Sequence, residues 1–151
     1  MSDLYEEDIV RWSERQGELL RRRAAGALIN EAELDWPNIA EEIESMGRAE
    51  RDQLISRLAI LLAHLLKWRF QADRRSNSWR LTILEQRRRS GRIVARNPSL
   101  RSRLDDIVTE AYGDAVLIAA RETELPEDTF PAACPWTFEE AVLAAFPGEE
   151  P

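Results

Sequence analysis

A chain of 151 residues, 44% apolar with five tryptophans, is long enough to bury one real core and too hydrophobic to be disordered. Its single cysteine, Cys134, rules out an intramolecular disulfide, and its single histidine, His64, leaves no Cys/His zinc set. The acidic start, and a longest apolar run (Leu58 to Leu66) about half of what a bilayer needs, read as a cytoplasmic protein with no leader and no membrane span.

The net charge of −7 conceals an asymmetry. Residues 67–103 carry twelve Lys/Arg against Asp73 and Glu85, whereas residues 104–151 carry Arg121 against twelve Asp/Glu. The first 66 residues hold 8 basic and 14 acidic groups. Such a basic middle suits either a polyanion-binding face or helices of opposite sign pairing internally. The acidic total, which repels nucleic acid, favours internal pairing.

Asp3, with Glu6 three residues on, predicts a helix start, and Ile9, Trp12, Leu19 and Leu20 share one side of the helix that follows. That helix frays after Arg21-Arg22-Arg23, and Ala24 to Glu33 reads as a turn or short weak helix. Asp35-Trp36-Pro37 opens a second helix to about Met46, which Gly47 ends or kinks. Ala49 to about Phe70 is the clearest helix: Leu54, Leu58, Leu61, Leu62, Leu65 and Trp68 form one arc, with Gln53, Ser56 and Lys67 on the far side. Ser76 or Asn77 caps a fourth helix to about Arg96, with Trp79, Ile83, Leu84, Ile93 and Val94 on one face. Asn97-Pro98-Ser99 separates it from a fifth, Leu100 to Thr123, with a stripe rich in small residues. Pro126, Pro131 and Pro135 make Leu125 to Trp136 an extended strap, held down by Phe130 and Trp136, and Thr137-x-x-Glu140 opens a short last helix to about Ala145.

Four ordered motifs carry a resemblance. They are Asp35-Trp36-x-Asn38-x-Ala40-Glu41-Glu42-Ile43-Glu44-x-x-Gly47-Arg48 and Leu61-Leu62-x-His64-Leu65-Leu66-Lys67-Trp68, then Ser76-x-Ser78-Trp79-Arg80-x-Thr82-Ile83-x-Glu85-Gln86-Arg87 and Leu125-Pro126-x-x-Thr129-Phe130-Pro131-x-x-Cys134-Pro135. From Tyr5 to Ala145 the chain resembles the bacterial domain-of-unknown-function family 29, with Trp136 where a tyrosine is more usual. The resemblance implies a compact helical domain and transfers no catalytic residue.

Each chemical candidate has a plain structural rival. His64 lacks the Glu-x-x-His pairing of helical di-iron sites, because Leu61 holds that position, and reads as a boundary histidine packed on Trp68. Glu41 and Glu44 share a helix face, but without a calcium-loop pattern they read as a solvated surface. Arg80 and Arg87 fall amid the apolar side of their helix and need partners: Glu41, Glu42 or Glu44, or an anionic ligand in a pocket. Lys67, Arg69, Arg74 and Arg75 interleave with aromatics, and with Arg89, Arg92 and Arg96 they form the nucleic-acid alternative. Cys134 reads as a buried small apolar group.

The expectation is therefore an all-α single domain, an irregular bundle of five to six helices with a proline-rich C-terminal strap. The leading function is a non-enzymatic protein-interaction module, self-associating or binding another protein. Nucleic-acid or anionic-ligand binding through residues 67–103 is the alternative, and an enzyme built on Glu41, Glu44, Arg80 and Arg87 comes last. No cofactor, metal or membrane partner is expected.

Overall fold

The computed structural model describes residues 3–143. Among them the protein is all-α: helices α1 (Leu4–Glu7), α2 (Ile9–Ala24), α3 (Trp36–Phe70), α4 (Asn77–Arg96), α5 (Leu104–Thr123) and α6 (Phe138–Leu143), with no strand. The chain divides into two compact units, the first ending at Arg48 and the second beginning at Ala49.

In the first unit, Asp3 starts only the single turn of α1. Asp8 leaves the helical region (φ −154°) and its carboxylate accepts the Arg11 N–H, so the long helix is capped there. Gly26 closes α2: its φ of +83° lets Ala27 N–H reach the Arg22 carbonyl, the bond of a Schellman cap. Trp12, Leu19, Leu34 and Ile39 form a small core, with Tyr5 edge-on to Trp12. Gln16, buried beside them, donates to the Glu33 carbonyl and accepts from Asp35 N–H, tying α2 to the chain entering α3. Ile9, expected on the apolar side of this helix, is exposed.

The two helices expected around Gly47 are one, Trp36–Phe70. A glycine inside a helix costs only about 1 kcal/mol relative to alanine, which the flanking turns outweigh. The later part of α3 is the axis of the second unit. Leu54, Leu58, Leu61, Leu62 and Leu66 are fully buried in one cluster with Ile83, Ile93, Ile107, Ala111, Ala115 and Phe138. Ser76 caps α4 through Trp79 N–H. The chain after Pro98 first forms a 3-10 turn to Arg103, and α5 begins only at Leu104. The strap is anchored as its aromatics require: Phe130 is buried and edge-on to Phe70, and the Tyr112 hydroxyl donates to the Pro131 carbonyl. Thr137 and Glu140 form the expected capping contact of α6, whose expected end at Ala145 lies outside the described residues.

Glu124 ends α5 in the left-handed region (φ 60°), the one non-glycine residue with positive φ among those described. A side chain there costs about 1–2 kcal/mol, partly offset by the greater unfolded-state freedom of glycine. Glu124→Gly should therefore raise the unfolding free energy by about 0.5 kcal/mol, whereas Gly26→Ala should lower it by about 1 kcal/mol, both read from denaturant midpoints.

Candidate functional site

The first unit presents an exposed apolar helix face. Trp36, Ala40, Ile43 and Gly47 follow one another at the spacing that keeps residues on one side of α3, and all four are exposed, with Met46 beside them. Trp36 is 49% exposed, Ile43 65% and Met46 70%. Alongside this stripe Arg48 pairs with Glu41 (2.6 Å) and Glu44 (3.9 Å), so the two carboxylates proposed as a site share one guanidinium. Glu42 is held apart from them, accepting a 2.6 Å bond from the Tyr5 hydroxyl. Asp35 accepts from Trp12 Nε1 and Asn38 Nδ2, and hydrogen bonding from Asn38, the largest cause, holds its carboxyl below the usual range. The Asp35-Trp36-x-Asn38 motif is thus the helix-opening structure of α3.

The second unit contains a polar constellation inside its apolar framework. Lys67, placed by helical periodicity on the far side of α3 from the leucine arc, is buried instead, its side chain 8% exposed. Its ammonium donates to Glu122 Oε2 at 2.7 Å and sits 4.5 Å from the centre of the Trp79 ring, so α3, α4 and α5 meet at one cation. Lys67 is the only lysine among 21 basic residues, a signal available in the composition. His64 lies one turn earlier on the same face of α3. Its Nδ1 is 2.8 Å from the Ile60 carbonyl, which can only accept, so Nδ1 carries the proton. Burial, the main cause, holds the imidazole below 6.5 and the Lys67 charge adds to this. The neutral ring then offers Nε2 as an acceptor, with no hydrogen-bond partner among the described residues.

Other cations of the basic segment are engaged at home. Arg96 and Asn97 converge on Glu50, and Arg89 pairs with Glu85. Arg75 donates to the Trp68 carbonyl and lies over its ring, while Arg69 lies over Phe70. Arg74 and Arg92 form no ion pair among the described residues. Arg80 Nε donates to Asn77 Oδ1, and Arg87 Nε donates to the Ala141 carbonyl, joining α4 to α6. Of the five residues proposed for a ligand site, Glu41 and Glu44 belong to the first unit and His64, Arg80 and Arg87 to the second. Cys134 is half-buried with its thiol on the Trp136 carbonyl, and burial pushes that thiol up from its ordinary value. Among the described residues no three His, Cys, Asp or Glu side chains gather as a metal site, and no helix is long and apolar enough to cross a membrane.

Both tyrosines resist ionisation. The Glu42 hydrogen bond pushes Tyr5 up to about 12, and burial, first among its causes, raises Tyr112. Since the folded state favours the neutral phenols, their stabilisation is present below pH 10 and is lost as pH rises through the raised values. An absorbance titration of the native protein should therefore show phenolate formation displaced above that of the unfolded chain, with the Tyr5 step near pH 12. Titration of both phenols as in the unfolded chain, with helical circular dichroism intact, contradicts these contacts.

Searches of curated proteins and of solved structures return no match. The sequence model of the family described as Domain of unknown function DUF29 matches residues 4–146, nearly the whole chain, including all four motifs. The chain belongs to the DUF29 family.

Proposed function

We propose that the protein is a helical interaction module that docks onto a second protein chain through its N-terminal unit. The observation that carries this reading is an imbalance of apolar surface. Among the described residues, the first unit buries only four apolar side chains, Trp12, Leu19, Leu34 and Ile39, yet exposes Ile9, Val10, Leu28, Trp36, Ile43 and Met46. A unit of this size is marginal by itself, and a continuous apolar face on it is the kind of surface a partner covers. Trp36, Ile43 and Met46 stand to contribute about 1.5–3 kcal/mol each on full burial. The internal pairing of Lys67, Arg89 and Arg96 also supports this reading, because it reduces the positive field open to a polyanion.

The test replaces the stripe without touching the small core. Ile43→Asp combined with Met46→Asp should leave the helical circular dichroism unchanged and weaken association about a hundredfold, as sedimentation velocity and site-specific photo-crosslinking from position 43 would show. A wild-type chain that sediments as a monomer and crosslinks no more from position 43 than from position 14 would overturn the reading.

A further inference from the structure

Within the second unit, α4, the turn after Pro98 and α6 leave a groove of about 460 Å³ between them. Small-molecule sites commonly hold about 300–1,000 Å³. The floor is apolar and buried, formed by Val94 on α4 and by Phe138 and Val142 on α6. Gly91 opens the space. It lies inside α4, where glycine costs about 1 kcal/mol relative to alanine. Its backbone has no positive φ to require glycine. Packing does not require it either, because a Cβ there would stand 3.8 Å from Val142 Cγ1, an ordinary contact. What the missing side chain does is keep the groove open. Arg101 and Glu139, both exposed, also line it. Among the described residues neither side chain forms an ion pair or hydrogen bond, with the other or elsewhere. One apolar groove therefore carries a cation and an anion that do not neutralise each other.

We infer that this groove binds a free α-amino acid with an apolar side chain. The ligand's carboxylate takes Arg101, whose planar fork matches its two oxygens, and its ammonium takes Glu139. Its side chain fills the space over Gly91, against Phe138 and Val142. Charge complementarity selects the class. A simple carboxylate would bring a second anion to Glu139, and a simple amine would bring a second cation to Arg101; a zwitterion answers both. The apolar floor selects the side chain, since a polar group buried there would lose water without gaining a partner.

In the full-length protein, carbon-13 labels on the valine methyls report the groove through Val94 and Val142. Titration with phenylalanine or leucine should shift both residues' signals to saturation. Hydrocinnamate, which lacks the ammonium, and phenethylamine, which lacks the carboxylate, should each bind about tenfold more weakly than phenylalanine. Arg101→Gln should weaken phenylalanine binding about tenfold and leave phenethylamine binding unchanged, and Gly91→Leu should abolish saturation. Failure of both amino acids to saturate the wild-type shifts overturns the proposal. So does hydrocinnamate or phenethylamine binding as tightly as phenylalanine. Shifts that follow protein concentration without ligand assign the groove to a second copy and overturn it as well. If Gly91→Leu fails to fold, the surface change Arg101→Gln and the two analogues still decide.

Discussion

A helix enclosed by protein must find partners inside that protein for the polar atoms it shields from water. This governs the later half of α3, where Leu58, Leu61, Leu62 and Leu66 are fully buried and water is excluded from most of the helix surface. His64 answers by turning Nδ1 onto the carbonyl of Ile60 one turn back, and Lys67 by reaching Glu122 on α5. Removing Glu122 without replacement would leave a charge in a site built for a pair. The neutral state of His64 and the meeting of three helices at Lys67 follow from the same burial.

The two units solve the burial problem differently. The second gathers one continuous cluster from α3, α4, α5, α6 and the strap. The first has four buried apolar residues among those described and relies on polar joints: Gln16 on the Glu33 carbonyl and Asp35 N–H, Trp12 Nε1 on Asp35, and Tyr5 on Glu42. Hydrogen bonds of this kind contribute about 1 kcal/mol each and specify geometry more than they add stability. An exposed apolar stripe on such a unit is consistent with a surface built to be covered, and the carboxylates near it are already engaged by Arg48 and Tyr5.

Much of the fold was legible because its signals are local. The leucine arc of α3, the Ser76 cap, the Thr137–Glu140 capping contact and the proline strap with buried Phe130 each depend on residues close in sequence. Gly47 was misleading because glycine permits a helix end without imposing one; where neighbouring turns are helical, its cost is too small to break the ladder. The start at Asp3 failed because two acidic caps compete five residues apart, and Asp8, not Asp3, makes the side-chain bond. Helical periodicity misplaced Lys67 because it assumes that one face of a helix meets solvent, and near Lys67 α3 is also covered by Trp79 and Glu122. The candidate site was half visible. His64 stood out as a lone histidine, but Glu122 lies 55 residues from Lys67, a pairing that only the packed helices create.

The central claim is that α3 is continuous in its backbone and discontinuous in its support, thinly packed before Ala49 and enclosed after Leu54. Native-state hydrogen exchange along this one helix tests it most directly. The amides from Leu58 to Leu66 should exchange only through global unfolding, and those from Ala40 to Arg48 through openings of much lower free energy. Uniform protection from Trp36 to Phe70 would contradict the account.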